Sequence, residues 1–132
     1  MRNVDHARGL VTKAEHDLKI ARIGLEHEDA PLDTICFHLH QTVEKLLKAA
    51  LTCKDIEYPM THDLVRLVDL ALQEFPDLAG FREVLPDFFP YALRMRYDGT
   101  LYPNRDETIS ALEITENLRA IIYRLLPSEA LP

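Results

Sequence analysis

Between Leu32 and Lys54, apolar side chains return every three or four residues. Ile35, Leu39, Val43, Leu46 and Ala50 form one stripe, and Phe37, Leu47 and Leu51 widen it. That period is helical, and a stripe this wide marks a helix contacted by two or more neighbours. The segment therefore predicts a central helix around which the rest of the chain packs. Only four glycines occur, and β-branched residues do not alternate with polar ones over any long window. A sheet has no support in this pattern.

The flanking segments read the same way. Val11, Ala14, Leu18, Ala21 and Leu25 give a first helix one apolar face, and the acidic group before Pro31 marks its end. Thr61 is the expected N-cap of a third helix carrying Leu64, Leu67, Val68, Ala71, Leu72 and Phe75, which Pro76 ends. Asp77 opens a fourth segment, interrupted by Pro86 and Pro90, so a kink or two short helices are expected up to about Tyr97. Asp98-Gly99 signals a turn, and Asn104 with Glu107 has the spacing of a capping box. A last helix runs through Ile109, Leu112, Leu118, Ile121, Ile122 and Leu125 to Pro127. The expected fold is all-α: an up-and-down antiparallel four-helix bundle with an additional short or kinked helix before the last one.

At 132 residues the chain is one domain, 1–132, with its core at about 10–126 and a short disordered tail over 128–132. Fifteen basic residues against 22 acidic ones leave a net charge of −7. That balance argues against a broad electrostatic grip on nucleic acid, but leaves room for a local basic patch. Cys36 and Cys53 match no metal-binding spacing and are too few for a disulfide framework. No signal peptide and no run of about 18 apolar residues is present, so the expected location is cytoplasmic, with no membrane partner. Neither a cofactor nor a metal is expected, because phosphate-cradling glycine loops and metalloprotease patterns are missing.

Residues 88–102, FFPYALRMRYDGTLY, hold Phe88, Phe89, Tyr91, Tyr97 and Tyr102 with Arg94 and Arg96 among them. Arginines interleaved with aromatics suit a phosphate and a stacked base. The same residues also suit a helix end in which Phe88, Tyr91 and Leu93 are core and the arginines are solvated or paired. Arg94 and Arg96 are two apart and point about 200° away from each other on a regular helix. Arg96, with Tyr97 beside it, is therefore the ligand- or partner-facing candidate. Lys45 and Lys48 on the second helix either reach a groove or extend to solvent. His62, at the start of the third helix, packs locally or bonds a neighbouring helix. His40 and Glu44 offer two metal ligands, with nothing nearby in sequence to complete a site.

The run HDLKIA (16–21), then FHLHQTVEKLLKAAL (37–51), then THDL (61–64), then Arg96-Tyr97 before a final amphipathic helix, resembles the HEPN domain (higher eukaryotes and prokaryotes nucleotide-binding). The resemblance spans about residues 10–126. It implies a bundle of four to five helices, a homodimer, and frequent pairing with a separate minimal nucleotidyltransferase in a toxin–antitoxin or related module. Many members are metal-independent endoribonucleases whose site is an arginine followed four to six residues later by histidine. Here no histidine follows Arg94 or Arg96, and Tyr102 stands where one belongs. With a pKa near 10, tyrosine is a poor acid–base partner at neutral pH. Arg22 and His27 match the spacing literally but lie on the first helix.

The reading is a nucleotide-, RNA- or partner-binding module with no assigned catalytic residue. Its candidate contacts are Arg96, Tyr97, Arg94, Tyr102, Lys45, Lys48 and His62. A divergent endoribonuclease and a structural dimerisation domain are the alternatives. The chain is too short to hold its own nucleotidyltransferase domain, so a partner chain is expected.

Overall fold

The computed structural model describes residues 2–91, 97–100 and 102–132. Arg94 and Arg96 lie outside the described residues. Helix α1 spans Arg2–Leu25, α2 Leu32–Cys53, α3 Leu64–Ala71 and α4 Arg105–Leu125. Two 3-10 segments, Pro76–Phe81 and Leu85–Tyr91, stand between α3 and α4, and a 3-10 turn, Ser128–Ala130, closes the chain. Among the described residues there is no strand. Contacts along their lengths set α1 antiparallel to both α2 and α4.

Alanine sets the closest contact. Ala7, Ala14 and Ala21 repeat at heptad spacing, and with Val11 and Leu18 they are fully buried. Small side chains at that spacing let α1 run close along α2, and the Thr42 hydroxyl reaches the Ala14 carbonyl at 3.4 Å. At Gly24 the approach is tighter still: a Cβ there stands 2.9 Å from Ile35 Cδ1. The buried stripe of α2, including Ile35, Leu39, Val43, Leu46 and Ala50, is the one its sequence predicts.

α4 runs alongside α1 in the opposite sense and is tied to it by long side chains. Arg119 and Tyr123 reach Glu15, Arg22 reaches Glu116, and Arg105 donates to the Leu25 and His27 carbonyls at the end of α1. The Arg119 guanidinium also lies over the Tyr123 ring, 4.3 Å from its centroid. Burial alone pushes the Glu15 carboxyl upward, but bonds from Arg119 and Tyr123 outweigh it and hold the group below its usual value.

α2 ends in a Schellman motif. The Ile56 N–H reaches the Leu51 carbonyl at 3.0 Å and the Asp55 N–H the Thr52 carbonyl at 3.1 Å. The motif needs one left-handed residue, and Asp55 supplies it at φ 57°. Asn3 donates to the Asp55 carboxylate, tying the start of α1 to the end of α2.

Three expectations need correction. Asp63, not Thr61, caps α3, accepting from the Val65 and Arg66 N–H groups at 3.1 and 3.3 Å. Thr61 instead accepts from the Asp63 N–H at 3.0 Å. The third helix ends at Ala71 rather than running on to Pro76, and the fourth segment is the expected pair of short helices, both of them 3-10. Pro76, Pro86 and Pro90 each remove a donor, and the shorter turns still bury Leu78, Leu85 and Phe88. The last residues, read as a frayed tail, form an ordered turn in which Ala130 is fully buried and Arg8 bonds the Glu129 carbonyl. A short apolar residue just beyond a helix-stopping proline gave no periodic signal of that docking.

Candidate functional site

α2 carries its polar residues on the side left open between α1 and α3. Glu44 lies there, 4% exposed. A buried carboxylate needs donors, and it has two: His62 Nδ1 at 2.9 Å on Oε1 and Lys48 Nζ at 3.0 Å on Oε2. His62 is delivered by the loop that Asp63 caps. The THDL run and the glutamate–lysine pair of α2 are thus one interaction, closed across 18 residues of chain.

His40 lies one turn before Glu44 and is fully buried. Its Nε2–H donates to the His62 carbonyl at 3.0 Å, so Nδ1 carries the lone pair. That atom has no hydrogen-bond partner and faces Glu44 Oε1 at 3.9 Å. Burial pushes the imidazole down to about 4, leaving it neutral at physiological pH, with the nearby Glu44 only partly offsetting the effect. His62 completes a group with His40 and Glu44 that sequence spacing alone leaves unfinished. Even so, no set of three histidine, cysteine, aspartate or glutamate residues among those described is arranged to hold a metal ion.

A second carboxylate repeats the pattern on the α1 side. Asp17 accepts from His38 Nδ1 at 2.8 Å and from Lys45 Nζ. His38 meets the Phe37 ring edge-on at 5.7 Å, and the Lys48 ammonium lies 5.5 Å from the Tyr58 ring centroid. Lys45, Lys48, His38 and His62 therefore share one face of α2, with Phe37 and Tyr58 beside them. Each lysine is held by a carboxylate, so a phosphate arriving here competes with Asp17 and Glu44 for its charge. His62 is half exposed, and Glu44 engages it through Nδ1. Sequence reasoning missed Asp17 and His38, because their pairing with Lys45 appears only once α1 lies against α2.

The aromatic segment divides. Phe88 is buried at 1% and meets Tyr91 edge-on at 5.8 Å. Tyr91 also lies against Cys36, and burial raises both hydroxyl and thiol, the thiol to about 11. Cys36 Sγ lies 3.4 Å from the Thr108 hydroxyl, and its raised thiol makes it no nucleophile at neutral pH. Tyr97 is 79% exposed. Tyr102 is half exposed, and its hydroxyl accepts the Leu32 N–H at 3.0 Å, capping an α2 start that Pro31 leaves without a side-chain acceptor. Asn104 and Glu107 form the expected capping box, at 2.7 and 2.9 Å.

A cleft of about 630 Å³ opens between the second 3-10 segment and the start of α4. Phe88, Tyr91 and Tyr102 line it, with Asp87, Asp106 and Glu107 around them. The lysines of α2 take no part in it. The candidate contacts thus fall into two places: Lys45, Lys48 and His62 on the α2 face, and Tyr102 at the cleft.

These elements make a small all-helical module built on a central helix with one polar face, a THDL-capped third helix and a capping-box final helix. The model of the HEPN domain matches residues 7–125, and the chain belongs to the HEPN family. Comparison with curated proteins and with solved structures returns no match. No helix among the described residues is long and apolar enough to cross a membrane.

Proposed function

We propose that this chain is a HEPN module that binds a nucleotide or RNA and works in the cytoplasm as a homodimer beside a separate minimal nucleotidyltransferase, in a toxin–antitoxin-like system. The observation carrying this reading is the α2 face, where Lys45, Lys48, His38 and His62 stand together with Phe37 and Tyr58. Cations serve the phosphate, and ring faces serve the base. In a chain of net charge −7 such a grouping is local, which suits a single nucleotide or a short single strand better than a duplex. Arg96 and Tyr97, with Arg94 the more structural of the two arginines, remain the second contact region.

The test is calorimetric titration of the full chain with adenine nucleotides and a short unstructured RNA. Lys45→Ala with Lys48→Ala, and separately Arg96→Ala, are expected to weaken binding about 10- to 150-fold, the loss of one or two charge-assisted contacts. Unchanged affinity in both variants removes the assignment, and no binding by the wild type leaves a structural dimerisation domain. A second reading, a divergent metal-independent endoribonuclease, draws on one observation. Glu44 and Asp17 each hold a histidine through Nδ1 and leave Nε2 to exchange protons. Metal-independent RNA cleavage lost on His62→Ala promotes that reading.

A further inference from the structure

The α2 face is one unit built twice. Asp17 accepts from His38 Nδ1 at 2.8 Å and, on its other oxygen, from the Lys45 ammonium. Glu44 accepts from His62 Nδ1 at 2.9 Å and, on its other oxygen, from the Lys48 ammonium at 3.0 Å. Each carboxylate thus cancels the charge of its lysine. Both carboxylates are well covered, their side chains 13% and 6% exposed, so the pairing is weakly screened by salt. With both imidazoles neutral the four charges sum to zero, and the face has no net attraction for a phosphate.

Charge can be gained here at the imidazoles. An ionised carboxylate only accepts, so Nδ1 of each ring carries its hydrogen and an added proton goes to Nε2. The His38 and His62 side chains are 28% and 50% exposed and exchange protons with solvent. Asp17 from α1 faces His38, with Lys45 beyond it and the Phe37 ring beside it. Glu44 faces His62, with Lys48 beyond it, and the His40 ring bonds the His62 carbonyl. His40 is fully buried and held neutral, so it adds no charge. One proton on each outer ring takes the face from zero to +2 and turns two lone pairs into donors.

We propose that the α2 face binds phosphate together with protons: the anion docks at Lys45 and Lys48 while His38 and His62 take up protons from solvent on Nε2. Asp17 and Glu44 stand in for the phosphate when the site is empty, and protonation offsets them when it is filled. The inference rests on the binding role proposed for this face and adds its regulation. By linkage, an anion that draws protons in is itself held more tightly as pH falls.

The probes must not titrate near neutrality themselves. A short uridine oligomer without terminal phosphates and cyclic adenosine monophosphate meet that need, and they separate a strand from a mononucleotide. Calorimetric titration of the full chain in two buffers of different protonation enthalpy counts the protons, and is expected to find about half a proton or more per bound anion. Affinity is expected to fall at least about tenfold from about pH 6 to about pH 8. His38→Asn with His62→Asn keeps a donor near each Nδ1 position without titrating, and is expected to flatten that profile. Asp17→Asn removes one cancelling charge, and is expected to tighten binding about fivefold at about pH 8. Equal apparent enthalpies in the two buffers, which need no variant to fold, overturn the coupling while the binding role stands. So does a pH profile that the folded histidine variant leaves unchanged. Binding of neither probe at any pH overturns both.

Discussion

Acidification loads the His40 pocket in a way that can be worked out from the structure. In the fold this imidazole is held down to about 4, against 6.5 for a free histidine, because it is fully buried. The unfolded chain therefore takes up a proton at His40 below about pH 6.5 that the folded chain refuses until about pH 4. Stability is unaffected by this group above pH 6.5. It falls as pH drops through the window, and the loss is complete below the folded value. At about 1.36 kcal/mol per unit the limit is roughly 3 kcal/mol, of which about 2.5 kcal/mol appears between pH 7 and pH 4.5. That is a large share of the 5–15 kcal/mol typical of a small domain. The control is His40→Gln, whose amide nitrogen takes the place of Nε2 and keeps a donor toward the His62 carbonyl without titrating. Urea unfolding followed by circular dichroism at both pH values measures the difference. The wild type is expected to lose about 2.5 kcal/mol more than His40→Gln over this interval. Equal losses in the two proteins would falsify the assignment of acid sensitivity to this buried ring.

Two further outcomes follow from the helix ends. Tyr102→Phe removes the acceptor for the Leu32 N–H and is expected to cost about 0.5–1 kcal/mol in urea unfolding while leaving nucleotide titration unchanged. A loss of binding with no loss of stability makes Tyr102 a ligand contact instead. Asp55→Ala places a less tolerant residue at φ 57° and removes the Asn3 tie, for an expected loss of about 1 kcal/mol, whereas Asp55→Gly, free of that strain, stays close to wild type. Equal destabilisation by alanine and glycine assigns the whole effect to the Asn3 contact.

Periodicity made the helices legible because burial acts on one face at a time. The stripes of α1 and α2 and the Asn104–Glu107 cap are local patterns, and the structure contains each of them. What escaped is what needs two distant segments at once. The i,i+4 spacing of Glu44 and Lys48 by itself implies only a surface pair worth a few tenths of a kcal/mol. In the fold that carboxylate is buried and bound by a histidine 18 residues away. Asp17 looked like ordinary surface until α1 lay against His38 and Lys45. Tyr102 was singled out as an exposed aromatic near arginines, and no pattern announced that its hydroxyl caps α2. The arrest of α3 at Ala71 and the 3-10 turns after it follow from Pro76, Pro86 and Pro90, whose presence foretold an interruption but not its geometry.

The alanines at 7, 14 and 21 also set an order of events. They join α1 and α2 through a short connection over residues 26–31, so this contact closes early and locally along the chain. α4 reaches its place only after the intervening residues have been gathered, and long arginine side chains rather than close backbone packing hold it to α1. The hairpin is thus the natural nucleus, with α4 arriving as a later and more detachable layer. Amide protons in the middle of α2 should exchange slowest. Amide protons of α4 are expected to exchange faster than those of α2.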